Sequence, residues 1–326
     1  MSSGEHQQLD AEARRAAAAE SVAAALAENF ARATPILSAL VASTPAGETL
    51  IVATDTRGFP VAQRVARRPG DLPHALVVGR HNRCGLSIAN DNRVSLRHLL
   101  LTIWPGQGGL MIRGYDLGGR AGVILPDGKR VAGFSAHGHV ALCFGRTCLY
   151  ALPGGPEGVG LLAGDPQEAF RRVTGLTTTG EGGGLAVSAA AEPGVAELGG
   201  YRQDANTQER RGYLQLRSTK TGHEDDSVRE LDVTSEQLQR GLLIGRYSDR
   251  CSLAGAGRNL SRVHALVCEE GPNSLLVYDL ASTNGVRPAG VREGPSHPVV
   301  RITPERPCML GHFELGWVPH RKITVH

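Results

Sequence analysis

The chain has 326 residues, 35 Lys and Arg against 32 Asp and Glu, a formal charge of +3, 41% hydrophobic and 21% charged residues. That is enough length for two domains with substantial cores, and the net charge gives no ground for a nucleic-acid partner. No apolar stretch approaches the ~20 residues of a membrane span, and the amino terminus lacks a basic segment followed by an apolar run.

Residues 1–45 form a helical amino-terminal extension. Ala, Glu and Arg dominate 8–33 and favour a helix, which Pro35 is expected to end. Val22, Leu26 and Phe30 recur at four-residue spacing and share a face. One such stripe buries little, so packing within the chain, partial disorder and a partner-binding helix are all open.

Residues 46–152 carry short apolar runs, "LIVAT", "ALVVG", "HLLLTIW", "LMIRGYDL" and "HVALCFG", separated by polar and glycine-rich turns. This is a β-sandwich pattern. Residues 153–208 turn to Gly, Ala and Thr, the composition of a flexible linker, with one helical turn at 166–173. Strands return over 209–326: "YLQL", "GLLIG", "VHALVCEE", "SLLVYDL", "PVVRI" and "CMLGHFELGWV". In the last, Phe313, Leu315 and Trp317 alternate with His312, Glu314 and Gly316, as in a half-buried strand. The expected fold class is all-β: two antiparallel β-sandwiches joined by a Gly/Ala-rich linker, after an Ala-rich helix.

Six cysteines, at 84, 143, 148, 251, 268 and 308, stand singly, with no CxxC pairs at zinc spacing. Most fall in apolar runs, where a thiol packs as a small hydrophobe. A cytoplasmic chain with reduced thiols is expected, and no metal or cofactor is implied.

The two β regions repeat each other. Arg80 and Ser95 are fifteen positions apart, as are Arg246 and Ser261, and the segments 116–122 and 279–285 both open on Asp-Leu after Tyr. Three anchors at matching spacing mark an internal duplication.

In the second region Gly245 and Arg246 stand where the chain leaves a strand, and Ser261 and Arg262 at a loop–strand junction. A hydroxyl and two guanidinium forks suit a phosphorylated side chain, which brings about −1.5 to −2 charges and three acceptor oxygens. His264, three residues after Ser261, is either a loop-shaping histidine or a base, and no nucleophile or backing carboxylate marks the second role. Ser282-Thr283-Asn284-Gly285 is a turn sequence. Its Asn284 amide can grip a main chain, and Thr283 adds a hydroxyl.

"GR" (245–246), "SRVH" (261–264) and "STNG" (282–285), in this order on a short-stranded domain, resemble the forkhead-associated (FHA) family over about 212–320. The resemblance implies a β-sandwich whose end loops bind phosphothreonine peptides. It would put Arg246, Ser261, Arg262 and Thr283 at phosphate and Asn284 on the peptide main chain, with Gly245, His264 and Gly285 shaping the loops. It also implies a phosphopeptide-binding adaptor in Ser/Thr kinase signalling, with a Thr-phosphorylated protein as partner.

The first region departs from this pattern. Gly79, Arg80, Ser95 and His98 are in place, but Leu96 stands at the position of Arg262, with arginine one place on at Arg97. Arg120 and Ala121 replace Thr283 and Asn284. Arg80, Ser95, Arg97 and Arg120 therefore make a weak or vestigial site. A structural partner, weak phosphate binding and recognition of an unphosphorylated protein are the three open outcomes.

For the whole chain the alternative is a phosphate-independent scaffold or interaction module using the first domain. No Walker loop, HExxH, GxSxG or kinase signature supports an enzyme. Aromatics at 4%, with none interleaved in a basic patch, support no nucleic-acid surface. Neither a nucleic acid nor a membrane is an expected partner.

Overall fold

The computed structural model describes residues 3–66, 70–106, 109–119, 121–178, 185–187, 196–197, 210–219, 228–255, 259–271, 273–291 and 295–320. They fall into two compact units, one holding most of residues 1–197 and the other most of 198–326.

The first unit opens with α1 (Ser3–Ser43), which runs through Pro35 where the sequence predicts its end. Proline removes one backbone donor from the ladder, but the apolar stripe does not stop there. Leu26, Phe30, Ala33, Leu37 and Val41 are all buried in one cluster, and that packing carries the helix past the proline.

The strands follow as β1 (Thr49–Thr54), β2 (Pro60–Ala66), β3 (His74–Gly79), β4 (Leu86–Ser87), β5 (Leu99–Gly106), β6 (Gly109–Asp116), β7 (Val123–Ile124), β8 (Arg130–Val131), β9 (Gly133–His137), β10 (Val140–Phe144) and β11 (Thr147–Pro153). Then come α2 (Gly155–Leu162), α3 (Pro166–Thr174), β12 (Leu176–Thr178), β13 (Leu185–Val187) and β14 (Ala196–Glu197). They build two six-stranded sheets, ordered β2-β1-β11-β10-β7-β8 and β14-β9-β6-β5-β3-β4, and the small pair β12-β13.

The expected linker therefore does not begin at 153. Asp165 caps α3 by accepting from the backbone of Gln167 and Glu168, Pro166 follows it, and Gly175 closes the helix in the left-handed region at φ 65°. Leu162, Ala169, Phe170 and Val173 then pack with α1 on Leu50, Val52, Ala141, Tyr150 and Leu152 of the sheet. This second layer explains why "LIVAT" and "CLYALP" read as unbroken apolar runs: both faces of those strands are covered.

One polar group lies in that contact. Buried Asn29 accepts from the Thr54 hydroxyl at 2.8 Å and the Tyr150 hydroxyl at 2.8 Å, and its amide donates to the Asp55 carbonyl. Asn29→Ala leaves two buried hydroxyls and a carbonyl short of a partner. It is expected to cost about 2–4 kcal/mol, read as a lower denaturant midpoint with unchanged secondary structure.

The second unit contains β15 (Arg210–Ser218), β16 (Arg229–Thr234), α4 (Ser235–Arg240), β17 (Leu242–Gly245), β18 (Leu253–Ala254), β19 (Ala265–Gly271), β20 (Ser274–Asp279), β21 (Val286–Pro288), β22 (Val299–Ile302), β23 (Cys308–Leu310) and β24 (Phe313–Pro319). Two five-stranded sheets result, β16-β15-β24-β23-β21 and β18-β17-β19-β20-β22. The inward residues of both, among them Leu214, Leu216, Ile244, Val267, Val277, Val300, Leu315 and Trp317, make one core. "CMLGHFELGWV", expected as a single strand, is instead a hairpin: Leu310 pairs with Phe313 across a turn at Gly311 and His312. The Phe313, Leu315 and Trp317 alternation holds, with all three side chains inward.

Candidate functional site

Strand β17 ends at Gly245, and the chain turns out of the sheet under the loop 259–264. The Arg246 N–H donates to the Ser261 carbonyl at 2.9 Å, the Tyr247 N–H to the Arg262 carbonyl at 3.0 Å, and the His264 N–H to the Ile244 carbonyl at 2.8 Å. This ladder needs glycine at 245, because a Cβ there would lie 2.4 Å from the Arg262 carbonyl oxygen.

His264, fully buried, ties this loop to the next. Its Nδ1 accepts from the Ser261 N–H at 3.2 Å, which leaves the proton on Nε2. Nε2 in turn donates to the Gly285 carbonyl at 3.0 Å and lies 3.0 Å from the Ser282 hydroxyl. With one nitrogen engaged as acceptor and the other protonated, the ring has no lone pair left for general-base work. Among the described residues no group of three or more His, Cys, Asp or Glu is placed to hold a metal ion.

The 280–285 turn is locked from inside. The Ser282 N–H donates to Asp279 Oδ1 at 3.2 Å, and Ser282 Oγ accepts from the Gly285 N–H at 2.9 Å. Ala281 sits at φ 53°, in the left-handed region where non-glycine residues are strained. Asn284 donates through Nδ2 to the Asn259 carbonyl at 2.7 Å, so part of its amide joins the two loops. Its Oδ1 and second N–H are not used in that bond.

At the outer surface, Ser261 Oγ accepts from the Thr283 N–H at 3.0 Å. With that acceptor lobe used, the serine hydrogen is left to donate outward. Arg246, Arg262 and Thr283 are exposed, and no carboxylate pairs with Arg246 or Arg262 among the described residues. The fold thus brings Gly245, Arg246, Ser261, Arg262, His264, Thr283, Asn284 and Gly285 into one rim. Asn259 is a rim residue that the sequence reading does not single out, while Ser282 and Asp279, which stand in the repeated turn segment, are given no role by it. The Asp-x-x spacing repeated at 116–119 and 279–282 is the sequence signal for their bond.

The first unit repeats the frame bond for bond. The Arg80 N–H donates to the Ser95 carbonyl at 3.0 Å, the His81 N–H to the Leu96 carbonyl at 3.0 Å, and the His98 N–H to the Val78 carbonyl at 2.9 Å. His98 Nδ1 accepts from the Ser95 N–H at 3.1 Å, and Nε2 bonds the Gly122 carbonyl at 3.2 Å. A Cβ on Gly79 would lie 2.4 Å from the Leu96 carbonyl oxygen, as at Gly245.

The side chains on that frame differ. Leu96 is 49% exposed where Arg262 stands in the second unit. Gly119 replaces Ser282, and a Cβ there would come within 2.6 Å of the His98 ring. The Arg80 Nε donates to the Val94 carbonyl at 3.3 Å, while Arg97 is half-buried. Arg120 lies outside the described residues. Another cation reaches this turn from β8: Arg130 Nη2 donates to the Gly119 carbonyl at 3.3 Å, an approach that sequence spacing does not reveal.

Burial lowers the pKa of His98 from the ordinary 6.5, outweighing its bond to Gly122. His139, whose ring bonds the Arg172 carbonyl, is lowered for the same first reason. The unfolded chain therefore takes up these protons first as pH falls below 6.5. The stability they contribute is complete above that value and is lost progressively as pH falls toward the folded values. Melting of the full chain from about pH 8 to about pH 5 is expected to show this decline, with a shallower one in His139→Gln.

No family model and no curated protein matches the chain. Solved structures do resemble part of it, and several of them are forkhead-associated domains. The FHA domain of the CT664 protein from Chlamydia trachomatis is 19% identical, covering 33% of this chain and 99% of that one at a TM-score of 0.26. The Mycobacterium tuberculosis Rv1747 FHA-1 domain is 23% identical, covering 32% and 97% at a TM-score of 0.24. An FHA domain of an Arabidopsis thaliana hypothetical protein is 18% identical, covering 34% and 91% at a TM-score of 0.26. No described helix is long and apolar enough to cross a membrane.

Proposed function

We propose that the chain is an adaptor with two FHA-like units, of which the second reads phosphothreonine in partners of a Ser/Thr kinase pathway and the first has a degenerate rim. The observation that carries this reading is the arrangement around Ser261. Its hydroxyl accepts from the Thr283 N–H and has a hydrogen left to donate, beside two exposed arginines without carboxylate partners among the described residues. A dianion offers three acceptor oxygens to such donors. The phosphate would be held by Arg246, Ser261 and Arg262, with Thr283 alongside and the unused half of the Asn284 amide on the peptide main chain.

The first unit is assigned a different role, as a surface for unphosphorylated protein. Leu96 exposed in place of Arg262, and the absence of side chains equivalent to Ser282 and Asn284, favour it. Titration calorimetry of the full chain separates the roles. A degenerate phosphothreonine peptide pool is expected to bind with a Kd of about 1–100 μM, and its unphosphorylated counterpart not at all. Equal heat from both pools would replace phosphate reading with a plain interaction surface.

A further inference from the structure

Two of the six cysteines that stand apart in the sequence meet in the fold. Cys143 on β10 and Cys148 on β11 are directly opposite in the register, and their sulfurs are 3.3 Å apart. Both belong to the helix-covered face of the sheet, Cys148 buried at 7% exposure and Cys143 partly buried beside it. We propose that this pair is a redox-modification site, closing to an intrachain disulfide when a peroxide is the oxidant.

Opposed residues of antiparallel strands have Cα atoms about 4.5–5.5 Å apart, inside the roughly 4.4–6.8 Å that a disulfide spans. The sulfurs need only approach from 3.3 Å to about 2.05 Å, a side-chain movement with the backbone in place. Reaction starts at Cys143, the more accessible of the two. Its thiol loses a proton to solvent, the thiolate attacks one peroxide oxygen, the O–O bond breaks, and the departing hydroxide takes up a proton as water. Cys148 then loses its proton and attacks the sulfenic sulfur, the S–O bond breaks, and a second water leaves. Two thiols give up two electrons in all, and one peroxide is reduced to two waters. The hydrogen bond to Cys148, with burial, holds the Cys143 thiol pKa well above its usual value, so closure draws on a small thiolate fraction and is slow.

The location gives the modification a point of contact with the first rim. The turn between the two cysteines anchors the loop that carries Ser95: Asp91 Oδ2 accepts from the Arg146 N–H at 2.8 Å and the Thr147 hydroxyl at 3.1 Å. Phe144 stacks on His98 with centroids 4.7 Å apart.

The test treats the full chain with hydrogen peroxide, removes the excess, unfolds, alkylates free thiols and digests with trypsin. Cleavage after Arg146 separates the cysteines into peptides 131–146 and 147–171, each with a single thiol. The expected product is these two peptides joined, lighter than their sum by two hydrogens, separated again by dithiothreitol and absent from Cys143→Ser. All six cysteines alkylated after oxidation would overturn the proposal. So would Cys143 recovered as a sulfinic or sulfonic acid with Cys148 still alkylated. Because the decisive reading comes from the unsubstituted chain, it does not depend on a variant folding.

Discussion

Arg246→Ala is expected to weaken phosphothreonine-peptide binding by about 100-fold. The residue is exposed and makes no ion pair among the described residues, so its guanidinium is available to a ligand and its loss breaks no ion pair there. A charge-assisted bond contributes about 1.5–3 kcal/mol, and 2.7 kcal/mol corresponds to about 100-fold in Kd. Arg246→Lys keeps the charge and loses the planar fork, so it is expected to recover only part of the affinity. Ser261→Ala removes a ligand donor and also strands the Thr283 N–H that now bonds Oγ, so it should weaken binding and loosen the turn together. Calorimetry paired with thermal melting distinguishes them: Arg246→Ala changes affinity alone, and Ser261→Ala changes both. Unaltered affinity in Arg246→Ala would remove the second unit's rim from consideration as the phosphate site.

His264→Ala is expected to destabilise the second unit by about 3–5 kcal/mol. The substitution empties a fully buried position and leaves the Ser261 N–H and the Gly285 carbonyl without their partner. Cavity formation and unsatisfied polar groups each cost a few kcal/mol in a packed interior. Denaturant unfolding is the suitable measurement, because two units can unfold in two steps, and only the step of the second unit should move to lower denaturant. A catalytic histidine would behave in the opposite way, losing turnover with stability intact. An unchanged midpoint would mean that the loops are held by the 279–285 turn alone.

Much of the second unit was legible because its signals are local. The offsets from Gly245 to Arg246 and from Ser261 to His264 are fixed by backbone bonds between a strand end and the adjoining loop, so they recur as fixed spacings. Alternation at Phe313, Leu315 and Trp317 reported the core-facing side for the same reason. Structure and sequence part where tertiary packing overrides a local rule. Pro35 is a helix breaker by intrinsic preference, yet Leu37 and Val41 continue the buried stripe beyond it. The Gly-rich start of the expected linker folds because Leu162, Phe170 and Val173 find a covered sheet face, which composition does not report. Gly311 falls within an apparent strand in the sequence, whereas its φ of 63° makes it a turn. Within the sites, the bond from Asn284 Nδ2 to the Asn259 carbonyl and the return of Arg130 to Gly119 depend on how separate segments approach. Neither is encoded in a spacing, whereas Cys143 and Cys148 stand five positions apart and meet across one hairpin turn.

The contact between Gly119 and His98 bears on how readily one rim could be converted into the other. Where the second unit has the Ser282 side chain, the first has none, and its turn lies so close to the ring that a Cβ would meet it at 2.6 Å. Placing serine at 119 would push against a buried imidazole already bonded to Ser95 and Gly122, so conversion to the other rim is sterically opposed. A single Gly119→Ser exchange therefore cannot rebuild the second unit's turn in the first: the loop backbone would also have to move away from the ring.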